Sequence, residues 1–178
     1  RYLNVKGIKC KVYNADYEGG LTRRYTEVVN LHGMYKKNLS NLDFEAWQSI
    51  GSIIRKMRPK IIGISTVTST FQSAINCVNI IRKELNDTMV VLGGAHVSAL
   101  PEEAAKIKGV DAVVIGEAEQ TMLELAQGKS LESIRGLCYL KSGKIFKTPQ
   151  REFIQDIDLL PFPILEDLIV EKVKPTSF

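Results

Sequence analysis

Three short runs of apolar, largely β-branched residues recur along the chain with helical stretches between them. The runs are Ile61-Ile62-Gly63-Ile64-Ser65, Met89-Val90-Val91-Leu92 and Ala112-Val113-Val114-Ile115. A strand that is apolar at successive positions, instead of every second one, must be covered on both faces, and that is the pattern of a parallel sheet sandwiched by helices. The intervening segments supply those helices. Asn41 offers an N-cap, Phe44, Trp47, Ile50, Ile54 and Met57 follow at helical spacing, and Pro59 closes the element. Phe71, Ile75, Val78, Arg82 and Leu85 mark one side of the next helix. Pro101 opens a third over Glu102 to Lys108, and Gly116 leads into a fourth from about Glu119 to Gln127. Serial strand–helix repetition of this kind predicts an α/β domain with a doubly wound parallel sheet.

The flanks read differently. Arg1 to Lys6 resemble the end of a helix stopped by Gly7, and Ile8 to Asp16 are expected to continue as a strand, so the chain reads as starting within a domain. Residues from about 17 to 40 are polar and irregular, with Gly19-Gly20 and His32-Gly33, and are expected to be an insert. After Gly128 the rhythm changes. Leu137 to Leu140 and Lys144 to Lys147 flank Ser142-Gly143, the chemistry of a hairpin turn. Asp156 to Pro163 then reads as an ordered, proline-punctuated linker toward a further domain. The expected division is an α/β domain over 1–135 and a hairpin with linker over 136–178.

Charge and cysteine content narrow the possible functions. The net charge is +4 on 178 residues, with Lys and Arg dispersed among acidic neighbours, so no nucleic-acid partner is implied. No apolar run approaches the roughly 20 residues that span a bilayer, and the N-terminus has no export signal, which points to the cytoplasm. Cys10, Cys77 and Cys138 lie about sixty residues apart, a spacing that fits neither a disulfide framework nor a local cluster site.

In an open parallel sheet the ligand crevice lies beyond the carboxyl ends of the strands. Three segments should therefore form it: Ser65 to Thr70, Gly93 to Ser98, and Gly116 to Thr121. The first carries five hydroxyls in six residues, Ser65, Thr66, Thr68, Ser69 and Thr70. Capping of the following helix and solvation account for them at least as well as a ligand does. Gly93-Gly94 leaves the main chain open to a bulky ligand, although a tight turn has the same signature. His96 falls in the same crevice, and Glu117 and Glu119 sit at a helix start where the dipole favours acids. Neither GxGxxG nor GxxxxGK[ST] occurs, so a dinucleotide or P-loop reading has no anchor. On the residues alone the chain is a flavodoxin-like domain for a sizeable cofactor.

Three stretches taken in order carry a further resemblance: Pro59 to Ser65, Val90-Val91-Leu92-Gly93-Gly94-Ala95-His96-Val97-Ser98, and Val110-Asp111-Ala112-Val113-Val114-Ile115-Gly116-Glu117-Ala118-Glu119. Their succession is similar to the B12-binding domain that precedes the catalytic barrel in cobalamin-dependent radical-SAM enzymes. Gly136 to Pro163, with Ile157-Asp158-Leu159-Leu160-Pro161-Phe162-Pro163, resembles the hairpin and linker of that family. The resemblance implies a Rossmann-like, cobalamin-binding α/β fold in which the first strand of the sheet is missing from this chain. It also implies that Ser65, Thr66, Gly93 and Gly94 lie near the nucleotide tail of cobalamin. Val67 stands where the wider fold has leucine, Thr68, Ala95 and Gly116 belong to the same loops, and His96 and Glu117 are carried over as crevice residues. The DxHxxG motif that ligates cobalt in some relatives is absent, so no protein ligand to the metal is expected. A [4Fe-4S] cluster and S-adenosylmethionine are expected only in a downstream radical-SAM domain of the same protein, which would be the partner of this one. That parent would be a methyltransferase or an oxidative cyclase, and this stretch alone would not be catalytic. The alternatives are a degenerate B12-like interaction domain without cofactor and a flavodoxin-like module for FMN or another phosphate ligand.

Overall fold

A computed structural model of the chain describes residues 1–13 and 39–162. Five strands form one sheet in the order β1 (Ile61–Ser65), β2 (Met89–Gly93), β3 (Ala112–Val114), β4 (Leu137–Lys141), β5 (Lys144–Lys147). The first three are parallel, with Ile61 opposite Met89, Ser65 opposite Gly93, and Leu92 opposite Val113. The last two run antiparallel, Val113 facing Cys138 and Tyr139 facing Phe146. Among the described residues these α-helices accompany them: α1 (Tyr2–Val5), α2 (Glu45–Met57), α3 (Phe71–Glu84), α4 (Ala95–Ala99), α5 (Pro101–Ala105) and α6 (Glu119–Ala126).

The alternation of side chains along each strand explains why the runs are apolar throughout. Val90, Leu92, Val113 and Cys138 point to one face, where they meet Trp47, Ile50 and Ile54 of α2, Val78 and Ile81 of α3, Val97 of α4 and Ala104 and Ala105 of α5. Val91, Ala112, Val114, Leu137 and Tyr139 point to the other face, against Leu125 of α6 and Ile134. Val78, Ile81, Val90, Leu92 and Val113 are all at most 1% exposed. Each such side chain contributes about 1.5–3 kcal/mol relative to exposure. Cys77 shares this environment, and burial pushes its thiol up to about 11. At pH 8 fewer than about 1% of Cys77 thiols would then be ionised, so alkylation at Cys77 is expected to be slower in the folded protein than in urea. Reaction with iodoacetamide at a rate independent of urea would contradict this.

Several sequence expectations are corrected here. Of the strand expected over Ile8–Asp16, residues 8–13 show one isolated bridge, at Val12, while Asn4 holds the Cys10 backbone through bonds of 2.7 and 3.0 Å. The rest of that stretch, like most of the expected insert, lies outside the described residues. Asn41 does not cap α2. Its Oδ1 accepts from the Asp43 amide at 3.1 Å in a preceding turn, and the N-cap position falls to Phe44. The helix opened by Pro101 ends at Ala105, short of Lys108. The sheet is mixed instead of purely parallel, because the hairpin beyond 135 completes it. Leu137, Cys138 and Tyr139 are as buried as the parallel strands, so β4 needs cover on both faces and finds it beside β3. Ser142 and Gly143 both have positive φ, 50° and 76°, as the two-residue turn between β4 and β5 requires.

At the amino ends of the strands one guanidinium fastens three connections. Arg82 donates to the Gly109 carbonyl at 2.9 Å, to the Thr88 carbonyl at 2.7 Å and to Asp111 at 2.5 Å. Asp111 in turn accepts from the Val90 amide at 2.6 Å, and Thr88 donates to the Pro59 carbonyl at 2.8 Å. A hollow of about 460 Å³ opens at this end. Of the charges in its lining, Arg82 pairs with Asp111 and Lys141 with Glu132, beside Asp87.

Candidate functional site: the crevice at the carboxyl ends of the strands

The opposite end of the sheet is built to be open. β1 and β2 finish side by side at Ser65 and Gly93, and the Thr66 amide donates to the Gly93 carbonyl at 2.9 Å, carrying the pairing one residue further. Gly94 then turns away with φ 103° and ψ 178°, a conformation reserved almost entirely for glycine. A Cβ on Gly94 would stand 2.4 Å from the Thr66 oxygen and 2.8 Å from its nitrogen. The two loops touch backbone to backbone because neither residue interposes a side chain. Gly93, by contrast, has nothing within 4 Å of the position a Cβ would take, and the same is true of Gly116 after β3. The pair of glycines thus divides into one that closes the floor of the crevice and one that leaves space above it.

The hydroxyl-rich loop is partly spent on itself. Thr66 is 2% exposed and donates to the Val67 carbonyl at 3.1 Å, while the Val67 amide donates to Thr70 Oγ1 at 3.2 Å. Val67 is half exposed and Ser65 is exposed at the strand end. Thr68 reaches across to the second loop, where its Oγ1 lies 3.2 Å from His96 Nδ1. The imidazole also packs on Phe71, with ring centroids 4.0 Å apart, and its Nε2 is buried without a hydrogen-bond partner. Ala95 is exposed at the start of α4, and Ser98 Oγ accepts from the Gly116 amide at 3.0 Å, which ties the second loop to the third.

Nine of the ten residues expected from the sequence therefore lie on three loops in mutual contact: Ser65, Thr66, Val67, Thr68, Gly93, Gly94, Ala95, His96 and Gly116. Glu117 is different. Its Oε2 accepts the backbone N–H of Ile154 at 2.7 Å, so the carboxylate is engaged by the segment that leaves the hairpin. Sequence reasoning counted Ser98 in the second crevice segment without giving it a role, did not pair Phe71 with His96, and missed the docking of residues 148–154 altogether. Phe71, at the start of α3, is the ring that packs on His96, but a contact twenty-five residues apart leaves no periodic trace.

Chemically the crevice presents hydroxyls, open main chain and one imidazole. Among the described residues no group of three or more His, Cys, Asp or Glu side chains could hold a metal ion, and no helix is long and apolar enough to cross a membrane. An unobstructed floor, an uncrowded glycine on each side and a buried nitrogen in want of a partner are features of a binding site for a bulky, polar-edged ligand.

Fold and site together define an α/β domain of the kind whose ligand crevice lies where parallel strands end. The B12 binding domain family model matches residues 22–126, and the chain belongs to that family. It is 36% identical over 133 residues to an uncharacterized methyltransferase of Pyrococcus horikoshii, covering 72% of this chain and 29% of the relative. It is 31% identical over 143 residues to the anaerobic magnesium-protoporphyrin IX monomethyl ester cyclase of Rubrivivax gelatinosus, covering 75% of this chain and 24% of that protein. The chain thus spans between a quarter and a third of the length of such relatives. Among solved structures, the fold is similar to the radical S-adenosylmethionine methyltransferase TsrM of Kitasatospora setae with cobalamin and [4Fe-4S] cluster bound, at TM-score 0.53 and 19% identity over 65% of this chain and 23% of that one. It is similar also to the cobalamin-dependent S-adenosylmethionine radical enzyme OxsB, at TM-score 0.55 and 17% identity over 60% of this chain and 16% of that one.

Proposed function

We infer that this domain binds cobalamin at the carboxyl ends of β1, β2 and β3 and presents it to a radical-SAM catalytic domain of the same protein. The observation that carries the reading is the floor formed where Gly94 meets the Thr66 backbone, with Gly93 and Gly116 leaving open space on either side. Ser65, Thr66, Gly93 and Gly94 would hold the nucleotide tail, and Val67, Thr68, Ala95, His96 and Gly116 would line the remainder. The buried Nε2 of His96 would gain a hydrogen-bond partner from the ligand's polar periphery. Bound cobalamin supplies organometallic alkyl or redox chemistry, and the protein's share is to hold and orient it.

On this reading the cluster and S-adenosylmethionine belong to the partner domain, reached through the segment after β5, and the reaction served is methyl transfer or oxidative cyclisation in the cytoplasm. The outer edge of β1, whose described pairing is with β2 alone, would take the strand read as the first of the family's sheet. The direct test is an anaerobic titration with hydroxocobalamin followed by gel filtration. One corrin co-eluting per chain supports the reading, and a base-off spectrum would show the nucleotide held by protein. No co-elution, even from a chain extended at its N-terminus, would sink it and leave a structural platform in its place.

A further inference from the structure

The segment that leaves the hairpin does not run free. The Gly136 amide donates to the Pro149 carbonyl at 2.8 Å, and Arg135 donates twice to the Gln150 carbonyl, at 3.1 and 2.9 Å. Arg151 then turns inward, donating to Thr121 Oγ1 at 2.9 Å and pairing with Glu124, both on α6. Three residues later the Ile154 amide closes on Glu117 at 2.7 Å. Around and beyond that point the chain exposes Phe153, Ile157, Leu159 and Phe162, at 63%, 70%, 78% and 88%.

Glu117 follows Gly116, and the Gly116 amide is held by Ser98 at the far end of α4, the helix that begins immediately after Gly94. Two hydrogen bonds therefore connect the crevice helix to the exit segment, one to a neutral hydroxyl and one to a carboxylate. The second is charge-assisted and is the stronger of the two. Gly116 has φ 77° and no neighbour within 4 Å of a Cβ, so a ligand can settle directly against the main chain between the two bonds.

We propose that Glu117 is a positioning residue: it latches residues 148–154 to the crevice loop, so that occupancy of the crevice and the path of the exit segment are linked. The proposal rests on the cobalamin reading above. A ligand that orders the Gly116 loop strengthens the latch. By the reciprocity of linked equilibria, loosening the latch weakens the ligand by the same factor.

The test combines amide exchange with corrin affinity on the 178-residue chain, using hydroxocobalamin as probe. In the wild type, corrin should slow exchange of the 150–155 amides by about fivefold, the low end of measured couplings. Glu117→Ala should abolish that slowing and weaken corrin by the same factor. Glu117→Gln, which keeps an acceptor, should restore both in part. Ile154→Pro, which removes the donor and leaves the Glu117 side chain in place, should weaken corrin as Glu117→Ala does, and the double variant should be no worse than either single one. Arg151→Ala serves as a second way to loosen the segment should Ile154→Pro fail to fold. If Glu117→Ala weakens corrin while Ile154→Pro and Arg151→Ala do not, Glu117 is a direct ligand contact and the latch is wrong. Slowing that persists in Glu117→Ala also overturns it. Should the wild type take up no corrin, the linkage fails together with the cobalamin reading. Exchange at Ile154 in the free protein, expected about tenfold faster in Glu117→Ala, then judges the latch by itself.

Discussion

Replacing Gly94 by alanine is expected to destabilise the domain by about 3–5 kcal/mol, a large part of the 5–15 kcal/mol that holds a typical domain together. Two costs add. The first is conformational, because φ 103° with ψ 178° is nearly closed to any residue with a Cβ. The second is steric: the new methyl would sit 2.4 Å from the Thr66 oxygen. Its neighbour is backbone, so no side-chain rotation relieves the overlap. The β1 and β2 loops must separate, which breaks the bond from the Thr66 amide to the Gly93 carbonyl. Urea denaturation followed by circular dichroism measures the loss. A midpoint within 0.3 M of wild type, at roughly 2 kcal/mol per molar, would mean that the loops part freely and that the floor is not a fixed element.

Its neighbour should respond in the opposite way. Gly93→Trp is expected to leave the melting temperature within a few degrees of wild type while weakening corrin by more than about 100-fold, because it fills the space the ligand needs. Nothing lies within 4 Å of the Cβ position at Gly93, so the indole enters the crevice instead of the core. Titration of the variant with hydroxocobalamin, beside a thermal melt, separates the two effects. Retained affinity would move the binding site away from β2, and lost stability would mean that Gly93 shapes the fold as Gly94 does. Adjacent and identical, the two glycines answer to different constraints.

The parallel part of the sheet was legible because Val90, Val91 and Leu92, and likewise Ala112, Val113 and Val114, must each satisfy a face of their own, and such runs have no other stable home. Gly93-Gly94 and Ser142-Gly143 were legible as punctuation for the same reason, since backbone geometry at Gly94, Ser142 and Gly143 excludes most alternatives. Within the described part of Ile8–Asp16 only Val12 makes a bridge, because a β-prone pattern forms a ladder only where an edge accepts it, and the Cys10 backbone is held by Asn4 instead. The hairpin was readable as a hairpin, but its place in the sheet depends on β3 offering an edge, which is a property of the assembled fold. Glu117 was placed in the crevice by position alone. Its partner is a backbone amide thirty-seven residues later, and nothing in the composition of residues 148–154 announces that bond.

Arg82 offers a broader consequence. Its guanidinium, with Asp111, Thr88 and the carbonyls of Pro59 and Gly109, secures the connections at the end of the sheet remote from the crevice. On the cobalamin reading, cohesion and recognition fall at opposite poles of the domain. Substitutions in the loops after β1, β2 and β3 can alter what is held without loosening the ties that define the frame, Gly94 being the exception because it belongs to both. A lineage built on such a plan can drift in ligand, or lose its ligand, while the architecture persists. Laboratory libraries directed at residues 65–70 and 95–98 should accordingly yield folded proteins at a higher rate than libraries of equal size directed at residues 82–88 and 109–111.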